Sequence, residues 1–229
     1  MKDYSALAAR IKAQRDSQRE QLAQAAALAT QNETQARAMR AGTLNKTKEI
    51  EQMRELVHIP SFFPTPRALC AQMTQWAVIE PGALVLEPSA GKGNIAEAAQ
   101  QRGARVVCVE WNYTLYNILK AKGFETHHAD FMQWQPEPAQ LFDYVLMNPP
   151  FENAKDIDHT RRAFDFVKPG GALIAIISAG AFQNSTRKAR EFQQWTDDNG
   201  GMYKPLPADT FSKSEHPTNV QTYILTINK

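Results

Sequence analysis

Leu86–Ala96 reads LEPSAGKGNIA, and the short apolar run ALVLE (Ala83–Glu87) leads into it. An apolar run, two close glycines and then helix-favouring residues describe a strand that turns sharply into a helix. Gly91-x-Gly93-x-x-Ala96 fits the dinucleotide fingerprint, and Glu110 lies about twenty residues further on, where an acid holds a ribose. Spacing alone leaves a nicotinamide dinucleotide open.

The alternation continues outward from this turn. RVVCVE (Arg105–Glu110) reads as a second strand, and Asn112 can cap a helix carrying Leu115, Ile118 and Leu119. FETHH (Phe124–His128) and FDYVLMN (Phe142–Asn148) read as the third and fourth strands. A helix from Asp156 to Lys168, stopped by Pro169-Gly170-Gly171, precedes a fifth strand, ALIAIIS (Ala172–Ser178). A last strand falls within Asn219–Ile227. Upstream, Thr65 and Pro66 read as the N-cap and first position of a helix bearing Leu69, Met73 and Trp76. Apolar strands alternating with helices predict an α/β fold, a mostly parallel doubly wound sheet covered on both faces.

Residues 1–57 differ: rich in Ala, Gln and Arg, without proline and with only Gly42 as glycine, they favour helix. The apolar stripe there is thin, so this stretch is expected to be a partly ordered helical N-terminal extension, with homo-oligomerisation through it open. Residues 58–229 form the second unit. A net charge of +2 does not by itself argue for a nucleic-acid partner, because clustering matters more than the total. Cys70 and Cys108 sit in apolar surroundings with no C-x-x-C pair, which fits buried thiols in a reducing compartment. No apolar run is long enough to span a membrane and the start resembles no signal peptide, so a cytoplasmic location with no membrane partner is expected.

In a doubly wound sheet, ligands sit at the carboxyl ends of the strands. Glu87, Glu110 and Asp130 fall after three successive strands, and Asn148 ends the fourth. A pyrophosphate wants amides and positive charge there. Acids suit a cationic amino-acid group, a ribose diol and an adenine amine, which together make up S-adenosylmethionine. His127 and His128 have no metal-ligand spacing with other His or Cys residues, and the chemistry requires no metal.

Asn148-Pro149-Pro150-Phe151 resembles the (D/N/S)-P-P-(Y/F/W) motif of amino-methyltransferases. FFPTPRAL (Phe62–Leu69) is similar to the F-x-T-P segment of N6-adenine DNA methyltransferases, LEPSAGKGNIA to their E-P-S/A-x-G-x-G motif, VEWN to their ribose-binding acid and HADF to their adenine-contacting Asp. The motif order is that of their gamma group, and LPADTFSKSEHPTNVQTYILTI resembles the final hairpin of phage- and plasmid-type members. The resemblance covers about residues 58–229. It implies a Rossmann-like class I methyltransferase domain that moves a methyl group from S-adenosylmethionine to the adenine exocyclic amine of DNA. Phe63, Thr65, Glu87, Ser89, Gly91, Gly93, Asn94, Glu110, Trp111, Asp130, Phe131 and Asn148 would then hold the cofactor, with Trp111 stacking on its adenine or packing in the core. Asn148 and the Pro149 carbonyl would accept the amine hydrogens and Phe151 would stack on the base, with Pro150 between them in the catalytic motif.

No segment of the size of a target recognition domain is visible, since residues 179–218 are too short for one, and relaxed sequence specificity is the expectation. Arg187, Lys188 and Arg190, in an expected loop beyond the fifth strand, are candidates for phosphate contact. Duplex or single-stranded DNA is the expected partner. RNA adenine methylation, methylation of a protein glutamine amide and a catalytically idle nucleic-acid-binding module stay open as alternatives.

Overall fold

The computed structural model describes residue 59 and residues 62–137, 140–212 and 220–229. The extension expected over residues 1–57 lies outside them. From Arg67 the order is α1 (Arg67–Trp76), β1 (Leu84–Glu87), α2 (Asn94–Gln101), β2 (Arg105–Glu110), α3 (Tyr113–Ala121), β3 (Glu125–His128) and β4 (Phe142–Met147). There follow a single 3-10 turn (Glu152–Ala154), α4 (Lys155–Asp165), β5 (Val167–Ser178), α5 (Ala179–Gln183), α6 (Arg187–Asp198), β6 (Met202–Pro205) and β7 (Thr222–Asn228).

The strands form one sheet in the order β3-β2-β1-β4-β5-β7-β6. The first five are parallel, and β7 runs antiparallel to both β5 and β6. Alternation along β5 sorts its side chains between two cores. Ile174 and Ile176 join Leu69, Met73, Ile95 and Leu119 on one face; Leu173, Ala175 and Ile177 join Phe142, Ile157 and Phe192 on the other. Fully burying each such side chain contributes roughly 1.5–3 kcal/mol, so a sheet covered on both faces is the stable arrangement for these runs.

Four local expectations are corrected. Pro66, not Thr65, occupies the cap of α1, and no side-chain cap bond is made; the Thr65 hydroxyl is used elsewhere. α4 stops at Asp165, three residues before the expected end, because Phe166 and Val167 are drawn into the core. Pro169-Gly170-Gly171 is therefore a bulge inside β5: Phe142 pairs Val167 and Tyr144 pairs Ala172. Gly171 is required there, since a Cβ would lie 2.5 Å from the Asp143 carbonyl. Arg187, Lys188 and Arg190 do not lie in a loop but in the first turn of α6, whose cap Thr186 accepts from the Ala189 amide at 3.2 Å.

Candidate active site

The turn after β1 and Asn148 after β4 meet the segment 62–66 that runs into α1, and Glu110 at the end of β2 reaches the same turn. After β1 the chain reverses through Gly91 (φ 55°) and Gly93 (φ 87°), conformations that L side chains adopt at a cost. Space is tight as well: a Cβ on Gly91 would stand 3.0 Å from the Phe62 ring, and one on Gly93 2.7 Å from Leu119 Cδ2, so either side chain would have to shift. Half-buried Ser89 lies in the same turn.

Two of the acids are built into this turn. Glu110 is 5% exposed; its Oε2 accepts from the Gly91 amide and its Oε1 from the Asn112 amide, both at 2.8 Å. Burial pushes its carboxyl above the usual range, against the pull of the Asn112 and Gly91 amides. Glu87 is deeper still, and its Oε2 takes the Ala96 amide at 2.7 Å in the first turn of α2. Burial raises Glu87 well above an ordinary carboxylate, and Glu110 nearby adds to the rise. Asp130 is exposed and its Oδ1 accepts from the Met132 amide at 2.9 Å, closing a local turn.

Asn148 follows β4. Its Nδ2 donates to the Phe63 carbonyl and to Thr65 Oγ1, both at 3.1 Å. A carbonyl can only accept, so the NH2 side must face Phe63 and the amide orientation is fixed by chemistry. Asn148 Oδ1 therefore points the other way, buried and without a hydrogen-bond partner among the described residues. Asn94 repeats the pattern: its Nδ2 donates to the Thr65 carbonyl at 2.8 Å and its Oδ1 is buried without a partner. Unsatisfied buried acceptors cost about 1–3 kcal/mol each, and two of them border the one segment 62–66.

Beyond the motif the backbone is strained. Asn153 and Ala154 both take left-handed φ, 53° and 55°, at a cost of roughly 1–2 kcal/mol for a residue such as alanine. Phe151 is half-buried against the α1–α2 side of the core, and Pro149 is buried. Behind the loop, fully buried Asp156 accepts from the Ser178 amide at 2.9 Å and hydroxyl at 2.7 Å, tying the start of α4 to the end of β5. Lys188 reaches the loop too, donating to the Ala154 carbonyl at 2.7 Å and pairing with Asp158 at 2.6 Å. Arg187 pairs with Glu191 at 2.7 Å, and Arg190 donates to the Ser185 carbonyl.

Two expected contacts change character. The Phe131 ring is 3% exposed and packs with Trp134, His159 and Phe166 in the core, which leaves no ring face for a cofactor. Trp111 is 71% exposed, so it is not a core residue and its face is free to stack. The sequence reading passed over Phe62, whose ring covers Gly91, and Asp156; the double aromatic before Pro64 was the available signal for the former. Among the described residues no group of three or more His, Cys, Asp or Glu side chains is placed to hold a metal, and no helix is long and apolar enough to cross a membrane.

Residues 86–175 match the family model described as a methyltransferase domain. No curated protein matches the chain. Among solved structures, a modification subunit assigned to a type I restriction enzyme of Vibrio vulnificus YJ016 is similar with a TM-score of 0.64 at 15% identity, over 82% of this chain and 49% of that one. The type I restriction enzyme EcoKI M protein gives 0.63 at 14% identity, over 75% and 45%. The 23S rRNA methyltransferase ErmE gives 0.54 at 19% identity, over 73% and 70%. The chain thus spans about half the length of the two restriction-modification proteins. The fold is thus a Rossmann-like α/β sheet, and residues 86–175 within it match the methyltransferase domain model.

Proposed function

We propose that this protein transfers the methyl group of S-adenosylmethionine to the N6 exocyclic amine of adenine in DNA. The observation that carries the reading is the Asn148 amide, tied back through its nitrogen and presenting a buried, unpartnered Oδ1 in an N-P-P-F turn. The donor set fits the cofactor. Glu110 has lone pairs left for a ribose diol, Asn94 Oδ1 and Glu87 lie at the turn for the cationic end, and exposed Trp111 and Asp130 stand at the adenine end, with Phe63, Ser89 and Thr65 along the rim. When bound, it supplies an electrophilic methyl on a cationic sulfur.

The chain's own residues answer the difficulty in the acceptor. An aromatic amine has its lone pair delocalised into the ring. Asn148 Oδ1 and the Pro149 carbonyl accept its two hydrogens, favour the pyramidal nitrogen and stabilise the positive charge that grows there as the nitrogen–carbon bond forms. That bond would form as the methyl–sulfur bond breaks, its electron pair staying on sulfur, and the nitrogen would then pass one proton to solvent water. Phe151 holds the base by stacking, Pro150 keeps the turn rigid, and a paired adenine must leave the duplex to reach them. DNA as the polymer draws support from the two restriction-modification proteins among the similar structures and from the basic first turn of α6, where Arg187, Lys188 and Arg190 would meet phosphates.

The test is transfer of labelled methyl to duplex DNA, single-stranded DNA, RNA and protein in parallel. Label in DNA that depends on Asn148 is expected. Label confined to RNA or protein would replace the proposed substrate with one of those, and no label in any arm would leave a binding module.

A further inference from the structure

The segment Phe62–Pro66 does more than border the cofactor turn. Phe63 and Thr65 each precede a proline, which excludes the helical region and holds both in extended backbone. That conformation turns three acceptors toward the site. The Phe63 carbonyl and Thr65 Oγ1 take the two hydrogens of Asn148 Nδ2, while the Thr65 carbonyl takes a hydrogen of Asn94 Nδ2. The Phe62 ring lies over Gly91 in the same strap. Thr65 is 4% exposed, so water does not compete for its hydroxyl.

We propose that Thr65 is a positioning residue: with the Phe63 carbonyl it locks the Asn148 amide so that Oδ1, not Nδ2, meets the target amine. The inference rests on the proposed methyl transfer for its kinetic consequence, but its geometry can be read independently. A flipped Asn148 amide would set Oδ1 against the Phe63 carbonyl and offer a donor to an amine that needs an acceptor. With Thr65 Oγ1 present, both amide hydrogens are occupied and rotation breaks two bonds. Without it, one hydrogen is unpartnered and the amide is held at a single point. The double proline makes the lock stiff without any contact to substrate.

Thr65→Val removes the acceptor while keeping the branched shape, and Thr65→Ser keeps the acceptor. In single-turnover transfer to DNA with saturating cofactor, Thr65→Val is expected to slow the rate about five- to tenfold, the worth of one buried hydrogen bond. Because Thr65 also lies on the proposed cofactor rim, some loss of S-adenosylhomocysteine affinity is expected, but smaller than the loss of rate, and Thr65→Ser should recover most of the lost rate. An undiminished rate in Thr65→Val, or a loss of cofactor affinity equal to the loss of rate, overturns the positioning role. Exchange of the Asn148 side-chain amide protons, followed by NMR on protein labelled with ¹⁵N at asparagine, gives the second readout. Slow exchange in the wild type and Thr65→Ser and fast exchange in Thr65→Val support the lock; equal rates in all three refute it, even if no polymer is methylated. A wild type that locks Asn148 yet methylates no adenine would defeat the proposed function alone.

Discussion

β4 begins and ends on polar groups that are treated in opposite ways. At its start Asp143 is satisfied on both oxygens: Oδ2 accepts from the Leu84 amide and Oδ1 from Lys168, both at 2.7 Å. At its end Asn148 has its nitrogen satisfied twice and its oxygen not at all. The hollow at the amino end is sizeable, about 400 Å³ between Glu80, Asp143, Tyr144, Lys168 and the Pro169–Gly171 bulge. Yet Asp143, Lys168 and Tyr144 along its wall already have partners, Tyr144 donating to the Val78 carbonyl. Volume alone does not make a site. Backbone strain occurs at both ends, at Val78 (φ 53°) on the one and at Asn153 and Ala154 on the other, but the carboxyl end holds the acceptors Asn94 Oδ1 and Asn148 Oδ1, unpartnered among the described residues, and Glu110 lifted by burial. Chemistry is expected where the fold leaves such groups waiting, and stability where it does not.

The comparison breaks first, if it breaks, at Asn148. Asn148→Ala should retain the fold and most cofactor affinity while turnover falls about a hundredfold or more, the effect of losing one preorganised polar group at the reacting centre. Phe151→Ala should instead weaken capture of the base, because stacking contributes about 1–3 kcal/mol, and a split between the Michaelis constant and the single-turnover rate separates the two.

Glu110 gives the next largest effect. Glu110→Ala should weaken S-adenosylhomocysteine binding at least about tenfold by calorimetry, because hydrogen bonds to a charged group are worth roughly 1.5–3 kcal/mol each. The pH dependence has a definite sign. Burial raises the Glu110 carboxyl, and a ribose diol donates to the ionised form, so affinity should climb as pH rises through the Glu110 pKa. Glu110→Gln should flatten that climb; an unchanged climb would place the titration elsewhere.

A smaller effect is expected at α6. Neutralising Arg187, Lys188 and Arg190 together should weaken binding to all duplex sequences alike and reduce the salt slope by about 0.9 per lost phosphate contact. Because Lys188 also holds the Ala154 carbonyl, its replacement alone should slow transfer more than that of Arg187, which pairs with Glu191 among the described residues.

The smallest effect belongs to the amino end. Burial pushes Asp143 up, but the hydrogen bond and charge of Lys168 and the Leu84 amide outweigh it and hold the carboxyl below its usual value. Its contribution is present above the unfolded carboxylate pKa and fades as pH falls through the folded one. The pair is partly exposed, so Asp143→Asn should cost less than about 1 kcal/mol in urea unfolding at neutral pH and leave methyl transfer unchanged. A large loss of transfer would erase the distinction between the two ends.

Much of this was legible in the sequence. LVLE, RVVCVE and LIAIIS point to parallel strands because they are apolar between their ends, and the Gly91–Gly93 turn and N-P-P-F announce themselves by residue types that few other backbones need. What was missed depends on tertiary context. Phe131 stands beside Asp130 among the expected cofactor residues, and only the packing of Trp134 and Phe166 places its ring in the core. The bulge at Pro169–Gly171 mimics a helix stop until Phe166 is seen to be buried. α6 is signalled by Thr186 with Ala189, Phe192 and Thr196 at helical spacing, a thin stripe among the polar and basic residues of its first turn. Thr65 illustrates the limit best: its sequence is that of an N-cap, and its partner is Asn148, 83 residues away.

The central claim is that an amine meets the acceptor left open at the carboxyl end of β4. Duplex DNA incubated with S-adenosylmethionine and either wild type or Asn148→Ala, then digested to nucleosides and resolved by mass spectrometry, tests it directly. The account predicts N6-methyl-deoxyadenosine from the wild type, reduced about a hundredfold by Asn148→Ala. The same yield from both proteins, or methyl found only on cytosine, would contradict it.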